Sequence, residues 1–382
     1  MSRRPRTARW FVRGLFRASV LAAGALLLWP MLWSNALAAN TPEEPHPRRG
    51  PDSVPVFSAD NLFEFHSGFW INLHLFLYEQ AAIATAGPHG TPHEAELSTD
   101  ASMAAGLSED ESKAWSDALV YYRAKMLRHD LASDDDMIKI KDRLEDIEGD
   151  TSTDRTDLDP KLISVLDAAA PVYRQHWWIL HDASNQTWIK AVMPLVDDHG
   201  AMLAEQISTA FDAPWPDHPL RVDVVAYANY AGSYTTLHPT RITISSIDGG
   251  NQDTAALEVL FHAASYAMLD AISANVKHAY ERAKREPPPE LSEMMLWFTT
   301  GYLVQQLYPN YSAYADRFAL WAEGSKTGYR AVLIKDWQPR LDGKVLLDTA
   351  LAQLSADFSV AAAPEKKPAA PPGEAQPKAE QP

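Results

Sequence analysis

The sequence contains no cysteine. Disulfide staples and cysteine-based metal sites are thereby excluded, although an exported chain need not carry either, and stability must come from a packed core. Basic residues are in the minority: 34 Lys and Arg stand against 50 Asp and Glu, for a formal charge of −16. Arg3, Arg4, Arg6, Arg9, Arg13 and Arg17 all lie near the N-terminus, so the rest of the chain is more acidic still. Such a body repels phosphate backbones and anionic headgroups, which argues against nucleic-acid and membrane-surface partners. Walker loops, glycine-rich phosphate cradles and nucleophile elbows are missing, and with them the simplest routes to nucleotide and acyl-transfer chemistry. Beyond residue 39 no segment reads as apolar enough to cross a bilayer.

What is present starts with a leader. The arginine-rich start, the apolar run "ASVLAAGALLLWPMLW" and the closing "ALAA" read as a secretory signal over residues 1–39, cleaved after Ala38 or Ala39. The expected location is periplasmic or secreted, with no membrane insertion after cleavage. An uncleaved N-terminal anchor is the alternative, disfavoured because the run falls short of the ~20 residues a span needs. Residues 40–56 form a Pro-rich linker, and residues 358–382 a Pro/Ala/Lys/Glu tail whose composition cannot bury apolar surface.

Between these ends one domain is expected over residues 57–357, mainly α in an α+β sense. The stretch from Ser58 to Ala82 keeps apolar residues at helical spacing and predicts a helix capped by Ser58 or Asp60. A charged helical elaboration follows at about residues 87–160. One long helix, or two end to end, then covers "VYRQHWWILHDASNQTWIKAVMPLVDDHGAMLAEQISTAF". Only "RVDVVAYANY" and "TRITISSID" are rich enough in β-branched residues to read as strands, separated by the turn-prone "AGSYTTLHP". They predict a small sheet or hairpin packed against the helix that follows "GGNQDT".

That helix carries the one arrangement with chemical content. In "LEVLFHAASYAML", Leu257, Leu260, Phe261, Ala264 and Met268 make a buried stripe, and His262 and Tyr266 fall one turn apart on a neighbouring face. A lone histidine there is more often a hydrogen-bonded structural residue than a ligand. Elsewhere His66, His74 and His181 are expected on helices lining a cleft, with His181–Asp182 as a histidine oriented by a carboxylate. Ser67 and Ser265 have histidine neighbours but no spacing that singles out a triad.

The motif helix resembles that of zincin metallopeptidases of the gluzincin kind, which read H-E-x-x-H and take a third ligand, a Glu, from a later helix. It is most similar to a bacterial group whose helix reads L-E-x-L-F-H-E-A-S-H, preceded by a strand like "ITISS" and followed by a helix like F-Y-T-T-G-E. The segments "FHSGFWINLHLFLYEQA", "HWWILHDASNQTWI" and "LWFTTGYLVQQL" extend the resemblance over most of residues 57–355. It implies a zincin-like helical core, but with His262 the sole conventional ligand. Ala263 stands at the general-base position, Tyr266 at the second ligand and Tyr302 at the third.

The resemblance therefore implies a degenerate site with zinc lost, no cofactor and no peptidase chemistry by the usual route. Tyr266 or Tyr302 is expected to hydrogen-bond His262 in a neutral, metal-free pocket. The corresponding function is binding or scaffolding in the cell envelope, for a peptide or envelope protein held along an edge strand formed by "RVDVVAY". The alternatives are a hydrolase with a metal or acid/base site rebuilt from His66, His74, His181 and His262, and a purely structural domain.

Overall fold

The computed structural model describes residues 57–59, 61–86, 104, 106–148, 152–153, 156–322 and 328–359. The leader, the linker and all but the first two residues of the tail lie outside that range, as does much of the start of the charged elaboration. The described chain is mainly helical around one five-stranded sheet of order β1-β2-β3-β5-β4. The strands are β1 (Phe57–Ala59), β2 (Phe63–His66), β3 (Leu220–Val225), β4 (Ser233–Thr236) and β5 (Arg241–Ser245). β2, β3 and β5 run parallel, and the two outer strands are antiparallel to their neighbours.

Two expectations are corrected here. The stretch before "SGFW" is not a helix but β1 and β2: Phe63 and Phe65 point to one face with Glu64 and His66 on the other, a period of two. The first helix, α1, starts only at Phe69 and runs to Ala86. His66 is thus a strand residue, Ser58 lies within β1, and Asp60 is outside the described residues. Further, β3 and β5 are no hairpin. The supposed turn between them contains β4, and "RVDVVAY" is an interior strand paired on both sides.

The remaining long helices are α2 (Glu109–Lys125), α3 (Asp135–Asp146), α4 (Pro160–Tyr173), α5 (Ile179–Phe211), α6 (Thr254–Ser265), α7 (Leu269–Arg282), α8 (Leu291–Leu307) and α9 (Leu347–Asp357). The charged pair α2 and α3 start where their side chains dictate. Ser108 and Glu111 exchange a reciprocal capping box, and Asp134 accepts from the first free amides of α3. A π-helical segment, Arg174–Trp178, joins α4 to α5.

Alternation along the strands divides the core in two. Phe63, Phe65, Val222, Val224, Ile242 and Ile244 face α5, α6, α7 and α8 in one apolar cluster. The second cluster packs α1, α2 and α4 around Phe76, Trp115 and Trp177, reaching the sheet through Val225 to Ala228 and Tyr234. The elaboration is therefore an integral wall of this second core. The stretch Thr254–Arg282 is long and apolar enough to span a membrane, unlike the expectation from sequence, but most of it is buried in the fold.

Candidate functional site

The motif helix α6 is held at its start and along its length. Asn251, in the turn before it, donates to Gly232 O at 2.8 Å and Ser245 O at 2.9 Å, and its own carbonyl accepts Trp188 Nε1 at 2.7 Å. The entry to β4, the end of β5 and α5 are thereby tied to one residue. Gly232 takes φ +74° at that entry, where a side chain would also strike Asp248. Along α6, Thr235 Oγ1 of β4 donates to Ala263 O at 2.9 Å. β4, a terminal strand of the sheet, thus lies against Ala263, next to His262.

His262 is buried and its ring lies on Trp297 of α8, with centroids 3.4 Å apart and planes 20° from parallel. Trp297 stacks in turn on Tyr314 at 4.6 Å, and Tyr314 on Phe318 at 4.4 Å. A column of four rings leads from the buried imidazole to a partly exposed Phe318. Tyr266 meets His262 edge to face at 5.3 Å. Burial lowers the His262 pKa to about 3, so the imidazole is neutral, and its Nδ1 has no protein partner. Burial also raises Tyr266, helped by Glu293 and Tyr230, so its phenol stays protonated.

One turn before His262 lies Glu258, a fully buried carboxyl on the motif helix. Its Oε2 accepts from Tyr311 Oη at 2.6 Å and from the Tyr314 amide at 2.9 Å, while Oε1 has no protein partner. Burial raises its pKa to about 7, against the opposing hydrogen bonds from Tyr311 and Tyr314. Across from it stands Gly301, where a Cβ would lie 2.9 Å from Glu258 Oε1 and 2.8 Å from Ala313 Cβ. The glycine of "TTG" is needed for α8 to pass this close to α6.

The sequence-based site is only partly assembled. His262, Ala263 and Tyr266 share α6 as expected, but neither tyrosine is seen bonded to His262. Tyr302 stacks on Phe298 and donates to Asp342 Oδ1 at 2.5 Å, and burial with the Asp342 charge pushes its phenol up to about 12. The group over His262 is Trp297, a residue the motif comparison left aside; its place five residues before Tyr302 is the only signal that could have marked it. Ser265 donates to the His262 carbonyl at 2.6 Å, a helix-end contact.

No family model, curated protein or solved structure matches the chain. The donor set decides what the site can hold. Zinc catalysis needs three protein ligands and an open position. Here Ala263 and Trp297 offer no donor, Tyr266 is a protonated phenol, and Tyr302 is engaged elsewhere. Among the described residues no three His, Asp or Glu side chains converge to hold a metal ion.

The other histidines have separate partners. His74 Nδ1 meets Tyr122 Oη at 2.8 Å, and burial lowers its pKa to about 4. His181 Nδ1 meets Tyr173 Oη at 2.9 Å. Asp182 accepts Ser67 Oγ at 2.8 Å. Ser67 belongs to a buried polar network with Asn72, Asn185 and Ser246 that joins α1, α5 and the end of β5. His66 Nδ1 stands 2.8 Å from Glu148 Oε1, near enough for an ion pair but outside hydrogen-bond geometry.

A second polar cluster was not anticipated from sequence. Arg221 and Asp223 alternate with apolar residues in β3, as Arg241 and Thr243 do in β5, so all four face α3 rather than the α6 side. Arg221 makes a two-pronged contact with Asp223, both bonds 2.8 Å, and also pairs with Glu148. Lys141 and Arg241 both bond Glu145, each at 2.9 Å. Burial and the Asp223 charge push Glu145 up to about 8, opposed by Lys141, Arg221 and Arg241. Asp223 is held below the usual carboxylate range: burial works to raise it, but Arg221, Lys141 and His66 prevail.

Proposed function

We propose that this chain is a non-catalytic, zincin-like binding protein of the cell envelope that takes an extended peptide along the outer edge of β4. The observation that carries the reading is the position of β4: terminal in the sheet, antiparallel, and hydrogen-bonded to the motif helix beside His262. Ser245 N bonds Gly232 O across the β4–β5 pair, so by alternation Gly232, Tyr234 and Thr236 serve β5. The backbone groups of Ser233 and Thr235 turn outward, where an incoming strand adds main-chain hydrogen bonds. Beside this edge the ring column fills the space over His262, and Ala263 offers no base. Such a site retains a strand-pairing edge without the means to cleave what pairs there.

This reading replaces the β3 edge with β4. A hydrolase rebuilt from His66, His74, His181 and His262 gains no support, because among the described residues no three His, Asp or Glu side chains converge on one point that could hold a metal ion. A purely structural domain leaves the edge of β4 without a role. Panning random displayed peptides on the purified chain, then measuring fluorescence anisotropy of the enriched ones, tests the proposal. Peptides should bind uncleaved, and N-methylation at alternate residues should abolish binding. Failure to enrich any peptide, or binding that is indifferent to N-methylation, would sink it.

A further inference from the structure

On the α3-facing side of the sheet, several buried polar side chains lie side by side and carry atoms that make no hydrogen bond to protein. His66, Asp223, Thr243 and Tyr234 stand directly opposite one another on β2, β3, β5 and β4. Thr236 is one step along, opposite Arg241. Neighbours of this kind have Cβ atoms about 4.5–5.5 Å apart on one face. All are buried, and both His66 ring nitrogens, Thr243 Oγ1, Tyr234 Oη and Thr236 Oγ1 make no hydrogen bond to protein. Thr243 is near enough to Tyr234 to oppose the upward push of burial on its phenol, yet the two hydroxyls fall outside hydrogen-bond geometry.

We propose that this face encloses a hydrated chamber in which ordered water bonds His66, Thr243, Tyr234 and Thr236. An isolated buried hydroxyl without a partner costs free energy, and in folded proteins the great majority of such groups are bonded to protein or to water. Four on one face, three of them in register, point to one shared cause. Hydroxyls can each donate or accept, an imidazole nitrogen adds a further polar contact, and several converging groups meet the two to four partners a buried water requires.

The charges around the row select a neutral occupant rather than an ion. Lys141, Arg221 and Arg241 face Glu145, Asp223 and Glu148, with the more exposed Asp142 and Asp146 at the rim against Lys141 and Arg241. The inner acids already have cationic partners, so a metal ion would find no free carboxylate pair. The chamber is independent of the peptide reading, but it lies behind the same strand: β4 is backed by α6 through Thr235 on one face and by water on the other.

A high-resolution crystal structure of the full chain, paired with a Thr243→Val variant, tests the inference. The expected result is at least one ordered water within hydrogen-bond distance of Thr243 Oγ1 and Tyr234 Oη, and a lower unfolding midpoint for the variant, because valine fills the same space without holding the water. A dry face in the wild-type structure would overturn the proposal. So would a valine variant more stable than wild type, since that is the result when the hydroxyl is buried with nothing bonded to it. If the variant does not fold, water-oxygen relaxation dispersion of the wild-type chain decides: long-lived internal water supports the chamber and its absence removes it.

Discussion

The imidazole of His262 lies face to face with the indole of Trp297, centroids 3.4 Å apart. Position 297, not 302, therefore stands over His262. Restoring Ala263→Glu, Tyr266→His and Tyr302→Glu together should not create a tight zinc site. The same first two changes with Trp297→Glu should. Metal content after zinc incubation and desalting distinguishes the two triple variants, and zinc retained by the Tyr302 set alone would contradict the geometry.

Glu258 should make stability fall as pH rises. Its pKa is 4.5 unperturbed and about 7 in the fold, so the native state favours the protonated form. The stabilisation is complete below pH 4.5, declines as pH rises toward 7, and is absent above it, amounting to about 3 kcal/mol. Glu258→Gln keeps an acceptor for Tyr311 and the Tyr314 amide and should flatten this slope in urea titrations at successive pH values. An unchanged slope would show that Glu258 does not titrate in this window.

His262 and His74 act in the opposite sense. Burial lowers both from 6.5, to about 3 and about 4, so stability present above pH 6.5 is lost as pH falls toward those values. His262→Gln should reduce the acid-side loss. Equal acid sensitivity in the variant and wild type would place the titrating groups elsewhere.

Gly301→Ala should destabilise despite alanine's better helix propensity. The propensity gain is about 1 kcal/mol, whereas a Cβ at this position would press on Ala313 and the buried Glu258 carboxyl inside contact distance. Overpacking of this kind costs roughly 1–3 kcal/mol, so the net change is expected to be unfavourable. A midpoint equal to or above wild type would mean that α8 can move away at little cost.

The motif helix and the long helices were legible because their apolar stripes repeat at helical spacing and their caps are explicit, as at Ser108. β1 and β2 were not. Leu62, Phe65 and Phe69 also satisfy a helical pattern, and only pairing with β3, far along the chain, selects the strand. β4 was hidden because "SYTT" between a glycine and a proline has turn chemistry, and its strand state depends on β5. At the site, the placing of Ala263 and Tyr266 beside His262 on one helix could be read residue by residue. The ring that covers His262 could not, because it depends on how α8 is rotated against α6, where Gly301 lets the two helices approach beside Glu258. The polar row on the other face was equally hidden: its members come from four strands, and only register brings them together.

The helical run from Pro160 to Phe211 has a further consequence. At 1.5 Å per residue its contour is roughly 80 Å. Its first part, α4, supplies Leu162, Leu166 and Tyr173 to one apolar cluster, and α5 supplies Ile189, Val196 and Phe211 to the other. A single rod thus runs through both halves, with the π-helical segment between them. Neither half can lose its packing without releasing a wall of the other, so the two should melt together as one cooperative unit.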